Sequence, residues 1–572
     1  MGALGRVSRS LLLIVPATAA WALTVVWPTV RLVLASLDGP VPGGFGSTLL
    51  AALSVVVLPL VVFVVVGCLL GWAGNRMGRR ARLVARCAVA LPVAFFAPPA
   101  VAGVAWLVSG PGYDRSHIAG GRAVVTDVRI AMLVGTFALM CAAGAVAYLA
   151  AFRGGRRPVL VVTGLAALTA AAAGVQAFTT EFLILGPSVI GFGPSALPAS
   201  QIFVDALDFS AYGWADEWGP AAAGSVMVLA VLAVLGILAV GLLIVTGTRM
   251  VVLPGLPVRR PPGRPRAGLV GGLTVAAVLV VLAVLAATGD TVVQVAWRAY
   301  GGAGQIDPDT AGRLAGSWLP ALPSAVASVG MAGLAGFGIG ALRPLGRSSE
   351  LLLLPFAPWL FVGVAPYAIA RLLDVRVPLV SHTPPMWLSV PALVVFTLLF
   401  AGQEKAYRHA VAQGVPPRAA FIQAYVRPVV PLVVLVGLVV WAVRANDYFW
   451  WVLLAFPFDA KSVRLGFVPP LPLVLAAAAV LVAAQFSLDR LAVVTRGREA
   501  ESPAPVAPPS VAPAAPLPSA PSGRANLRIM LVCGAMGIVF AGAGILVGCG
   551  VNTGPPPRLP GVPSAGPSGV DR

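Results

Sequence analysis

The chain has 572 residues, 59% of them hydrophobic and 10% charged, with a mean hydropathy of +0.93. A soluble domain is about one quarter charged, so this composition excludes an ordinary soluble enzyme and points to the bilayer. The net charge of +19 does not call for nucleic acid, because the arginines sit in short segments between apolar runs, where cytoplasmic loops gather positive charge.

In chain order, apolar runs near 11–36, 49–73, 87–109, 129–151, 159–185 and 221–247 predict six membrane helices. Each approaches the roughly 20 residues that a hydrocarbon core of about 30 Å requires. A second set follows near 267–288, 317–342, 351–371, 386–402, 429–445 and 468–487, and a further run, 529–548, stands apart. The expected fold class is an all-α polytopic membrane protein.

The basic residues orient these helices. With Arg6 and Arg9 inside, Arg76 to Arg86, Arg153 to Arg157, VRRPPGRPR at 258–266, Arg343, Arg347, the segment 403–428 and Arg490 to Arg498 all fall on the same side. This is the pattern of a cytoplasmic N-terminus. The expected organisation is a first half over 1–248, a Pro/Arg-rich linker over 249–266 and a second half over 267–495. A Pro/Ala-rich linker (496–525), a membrane helix or lipoprotein-signal-like segment (526–549) and a disordered tail (550–572) complete it. Two similar six-helix halves facing each other would enclose a pathway between them.

No G-x-x-x-x-G-K-[ST] sequence surrounds Lys405 or Lys461, the two lysines, so ATP chemistry would need a partner chain. The five cysteines and His117, His382 and His409 are scattered without metal-ligand spacing. No cofactor or metal is expected.

The polar segment 403–428 is too hydrophilic to span a membrane but has helical periodicity: Ala406, Ala410 and Val411 share one face. Gly414 can end a helix in the left-handed conformation, and Pro416 and Pro417 suit the start of another. A helix, tight turn and helix are predicted here. The alternative is an amphipathic loop lying on the inner leaflet.

The segment resembles the coupling loop of ATP-binding-cassette importers, in which E-A-A-x-x-x-G is followed by I-x-L-P. Gly414 fits the glycine and Ala410 the second alanine, while Phe421 and Pro431 fall where sugar-importer permeases carry an aromatic and a proline. Arg408 and His409 replace the acidic residue and first alanine, and Arg427-Pro428 departs from the I-x-L-P end. Further on, Asn446-Asp447-Tyr448-Phe449-Trp450 resembles the W-N-D-F-x-W element of maltose- and glycerol-phosphate-type permeases. In the first half the opening helix with Pro16, Pro28 and Ser36, then Phe178 with Leu183 to Pro187, then Phe203, Phe209 and Gly219 to Ala223 are similar to the partner subunit.

The resemblance implies two permease halves fused in one chain, with a separate cytoplasmic ATPase and an extracellular substrate-binding lipoprotein as partners. It also implies alternating access for a carbohydrate or related solute, with no catalytic residue in this chain. ATPase coupling would then involve Glu404, Ala406, Ala410, Gly414, Phe421 and Pro431. The first half departs from the pattern, since AAFRGGRRPV at 151–160 is too short for a second docking helix. A polytopic glycosyltransferase or lipid-modifying enzyme and a non-transporting paralogue are the competing readings.

Ionisable residues within spans mark the remaining candidates. Glu181, Arg444, Asn446 and Asp447 could line a pathway or outer gate, or Arg444 and Asp447 could form a structural pair. The outer segment 187–218, with aromatic and acidic residues, would dock a binding protein or anchor the interface. Leu546-Val547-Gly548-Cys549 resembles a lipobox, making Cys549 a candidate for lipidation.

Overall fold

The computed structural model describes residues 3–37, 44–95, 107, 121–185, 197–210, 219–253, 308–363, 387–445, 447 and 471–496. The chain is mostly helical. The helices are α1 (Ala3–Trp21), α2 (Trp27–Ser36), α3 (Phe45–Arg76), α4 (Arg79–Phe95), α5 (Gly121–Gly154), α6 (Arg156–Val175), α7 (Thr179–Leu185), α8 (Pro198–Ser210) and α9 (Gly219–Thr246). After strand β1 (Arg249–Val252) come α10 (Pro308–Gly340), a 3-10 helix (Gly346–Trp359), α11 (Val390–Ala412), α12 (Pro417–Phe421), α13 (Arg427–Ala445), α14 (Leu471–Leu488) and strand β2 (Leu491–Val494).

Among the described residues, seven helical stretches are long and apolar enough to cross a membrane: Ser10–Ser36, Phe45–Arg76, Val124–Gly154, Arg156–Val175, Gly219–Thr246, Trp318–Gly340 and Pro417–Ala445. Their outer faces stay apolar, with Leu12, Leu23, Leu160 and Val245 all exposed. A soluble protein seldom tolerates that much continuous apolar surface, whereas lipid accepts it. The chain is a multi-pass membrane protein.

Packing explains why the bundle holds. Lipid gives helices little hydrophobic reason to associate, so close approach of small residues does the work. On α3 and α5, a Cβ added to Gly67 would lie 2.6 Å from Gly144 Cα, and one added to Gly144 would lie 2.8 Å from Gly67 Cα. These two backbones are in direct contact. One core joins residues from both halves: Ile14, Ala17, Val161 and Val240 pack with Leu353, Phe356, Leu393 and Phe396. The Ser10 hydroxyl donates to the Gly338 carbonyl at 2.9 Å, tying α1 to α10.

Two helical paths widen by one residue in the same setting. Ala22–Val26 and Ile422–Val426 are π turns, each followed by a residue and then proline, Trp27-Pro28 and Arg427-Pro428. A proline ring clashes with the carbonyl four residues back, and the wider turn moves that carbonyl away.

The described residues are those of an all-α polytopic membrane protein, and four details differ from expectation. One short pair of strands is present, β1 antiparallel to β2, Arg249 opposite Val494 and Val252 opposite Leu491. β1 thus forms the first residues of the segment read as a linker. The run 159–185 is two helices, broken at Gln176, whose Nε2 donates to the Phe361 carbonyl at 2.8 Å while its Oε1 accepts from the Gly363 amide. The run 351–371 opens with 3-10 rather than α geometry, and Pro355 and Pro358 lie within that helix. Their three-residue spacing matches three residues per turn. Finally, the run 386–402 is helical only from Val390, and that helix, α11, continues without a break through the polar residues to Ala412. The expected spans 267–288 and 529–548, and both Pro-rich linkers beyond residue 253 and residue 496, lie outside the described residues.

Candidate functional site

The arginine-bearing ends of the helices gather at one end of the bundle. There α5 ends at Gly154, α9 runs into β1, α14 runs into β2, and Arg153 Nη1 donates to the carbonyls of Asp489 and Leu491. The hairpin formed by α11 and α12 projects from this same basic end, because Glu404 on α11 accepts from Arg343 Nη1 at 2.7 Å in the turn after α10.

The hairpin forms for local reasons. Ser389 caps the start of α11, its side chain accepting from the Ala392 amide, with proline in the first turn. At the other end Gly414 has φ +81°; its amide donates to the Val411 carbonyl at 3.0 Å, and that of Val415 to the Ala410 carbonyl at 3.1 Å. This is the paired-bond termination that needs a left-handed residue. Pro416 is extended and Pro417 starts α12. The structure therefore contains the helix, turn and helix expected from 403–428.

The tip is exposed while the base is anchored. Lys405, Ala406, Arg408, His409, Val411, Ala412, Gln413, Gly414 and Arg418 are exposed, and Ala410 is half-buried. Nothing lies within 4 Å of the place a Gly414 Cβ would occupy. At the base, Phe337 of α10 meets Phe400, Phe421 and Tyr425 edge-on, with ring centroids 5.3, 5.8 and 5.7 Å away. Tyr407 and Phe421 each lie 5.6 Å from Tyr425. Phe421 is thus a packing residue of the hairpin base, though still 38% exposed. Pro431 is half-buried within α13.

Charge continues the anchorage inward. Glu404 also pairs with Arg408, Arg343 Nη2 lies 3.7 Å from Glu350 Oε1, and Arg249 Nε lies 3.7 Å from the same oxygen. This chain of ion pairs runs from the hairpin through the start of the 3-10 helix to β1. Arg343 adopts φ +48°, the one non-glycine residue in the left-handed region among the described residues. The sequence marks Arg343 only as a basic residue of an inner loop; its pairing with Glu350, seven positions on, and with Glu404, 61 positions on, depends on the fold of the turn after α10.

The pathway candidates lie at the opposite end. Glu181 on α7 is 1% exposed and accepts from the Ser200 hydroxyl at 2.6 Å. The Phe178 and Phe203 rings lie 4.8 Å apart, tilted by 48°. Glu181 is enclosed by protein. Arg444 is buried at the end of α13, next to the core formed by Trp441, Ala321 and Ala325. The Asp447 amide donates to the Arg444 carbonyl at 3.3 Å. Ile184, on the helix of Glu181, and Trp441, on the helix of Arg444, belong to different packing clusters. Asn446, Cys549 and most of 187–218 lie outside the described residues.

The described residues hold no cluster of three or more His, Cys, Asp or Glu able to bind a metal. No protein-family model, curated protein or solved structure matches this chain.

Proposed function

We propose that this protein is the membrane-spanning permease of an ATP-binding-cassette importer, two six-helix halves fused in one chain, for a carbohydrate or related solute. The observation that carries the reading is the hairpin from Gln403 to Pro428. Its tip offers small side chains to a partner at the basic end, and its base is fixed to α10 by aromatic contacts and by Glu404. A docked motor needs that combination: an accessible handle and a stiff connection to the membrane helices. Under this reading the basic end faces the cytoplasm of a cell-membrane protein, a separate ATPase subunit grips Ala406, Ala410 and Gly414, and a substrate-binding lipoprotein docks opposite. The final run, 529–548, is an added helix. ATP hydrolysis belongs to the partner, so the chain is a transport subunit rather than an enzyme.

A second reading, a permease-derived protein that does not pump, is favoured by the α5–α6 junction. There Gly155 alone separates two helices, leaving no room for a second handle. One experiment addresses both. Affinity purification of the full chain from its native membrane should recover an ATPase bearing a P-loop, and Ala410→Trp should abolish that recovery while Leu160→Trp, on the lipid-facing surface, should not. Undiminished recovery with Ala410→Trp would remove the coupling role. Recovery without solute uptake in vesicles would select the non-pumping reading.

A further inference from the structure

Buried positive charge at the basic end exceeds the acid that accompanies it. The side chains of Arg82 and Arg86 on α4 and of Arg153 on α5 are 5%, 6% and 9% exposed, and all converge on Asp489, itself 4% exposed. Arg82 grips the carboxylate edge-on, Nε to Oδ1 at 2.7 Å and Nη2 to Oδ2 at 3.1 Å, and turns Nη1 toward the Gly74 and Met77 carbonyls. Arg153 is satisfied chiefly by backbone carbonyls.

Arg86 differs. Its Nη1 reaches Asp489 Oδ1 at 3.4 Å, but its Nε and Nη2 are enclosed and make no hydrogen bond. These are the same two nitrogens that Arg82 uses to hold a carboxylate, the edge of a guanidinium that fits two oxygens of one anion. A buried charge with an open donor edge is costly unless something accepts from it. Beside it lies a cavity of about 20 Å³ lined by Leu70, Gly74, Met77, Arg82, Arg86 and Leu149, room for an oxygen-sized group. Exposed Arg79 adds another guanidinium, Nε 3.9 Å from Asp489 Oδ2.

The surroundings say where the anion comes from. Leu69 on α3 and Val84 on α4 are exposed, and Arg76 at the end of α3 stacks over the Trp72 ring at 3.9 Å. Apolar surface giving way to arginine and tryptophan marks the headgroup level of a bilayer. We infer that the Arg82–Arg86–Arg153 cluster binds a phosphate-type oxyanion, one oxygen of which enters the cavity and accepts from Arg86 Nε and Nη2. An anionic phospholipid headgroup and free inorganic phosphate offer the same chemistry.

The test uses the full chain in detergent, with phosphatidylglycerol, phosphatidylcholine or inorganic phosphate as probes, read by native mass spectrometry and thermal midpoint. Wild type should retain phosphatidylglycerol in preference to phosphatidylcholine and melt higher with it. Arg86→Gln should weaken retention by about tenfold, whereas Arg80→Gln, the same charge change at an exposed position, should not. If inorganic phosphate alone raises the midpoint and lipid adds nothing, the ligand is the free anion; a response to phosphatidylglycerol alone identifies the lipid. Equal losses in the two variants, or no response of wild type to either anionic probe, would overturn the site. The wild-type comparison stands even if Arg86→Gln does not fold.

Discussion

Gly414 shows how one residue decides whether the hairpin exists. Its left-handed backbone closes two hydrogen bonds, to Val411 and from Val415 to Ala410, and its surroundings are empty. Gly414→Ala therefore tests backbone strain without a steric clash. It should weaken the turn by about 1 kcal/mol, seen as amide exchange at residues 414 and 415 about fivefold faster. Unchanged exchange would mean that the turn is held by its docked base instead. Gly414, Pro416 and Pro417 were legible because each has a strong local preference. Arg343 was not: a non-glycine residue with a left-handed φ has no sequence signal, and its strongest tie is to Glu404, 61 positions on.

At the level of helices, the α3–α5 contact is the clearest dependence on residue size. Gly67→Leu must force apart two touching backbones, since even a Cβ would sit 2.6 Å from Gly144 Cα. Overpacking of this kind costs about 1–3 kcal/mol, and the variant should melt below wild type in detergent by fluorescence-monitored unfolding. Gly241→Leu on α9, where a Cβ meets nothing within 4 Å, should melt like wild type. Equal melting of the two variants would show that the α3–α5 approach does not limit stability. Hydropathy located most long helices to within a few residues, because burying a backbone in lipid demands unbroken helix. It could not show the break at Gln176. There a polar side chain leaves its own helix to clasp Phe361 and Gly363, and the reason for the break lies nearly two hundred positions further on.

The whole molecule is tied at its basic end by residues from opposite ends of the chain. Asp489 receives Arg82, Arg86 and Arg153, and β1 pairs with β2 directly after it. Asp489→Asn would leave buried guanidiniums without their carboxylate, and breaking such a pairing typically costs about 3–5 kcal/mol. The expected outcome is a clearly lower thermal midpoint, with limited proteolysis opening first near β2. An unchanged midpoint would show that the arginines are balanced by another anion. The sequence revealed that these arginines share one side of the membrane, since charge bias is a property of loops. The carboxylate they share was hidden, because a lone aspartate after a helix has no pattern to betray it. The hairpin was readable for the opposite reason: a polar insert interrupting apolar runs stands out in composition alone.

The 3-10 segment changes how crossings should be counted. Gly346–Trp359 begins beside the ion pairs of Glu350 and leads to Gly363, which Gln176 clasps at the far end of α6. At about 2.0 Å per residue its 14 residues reach about 28 Å, close to a hydrocarbon thickness that α geometry covers with about 20. A polypeptide stretched in this way can traverse lipid with a segment too brief for any hydropathy ruler cut to α-helical length.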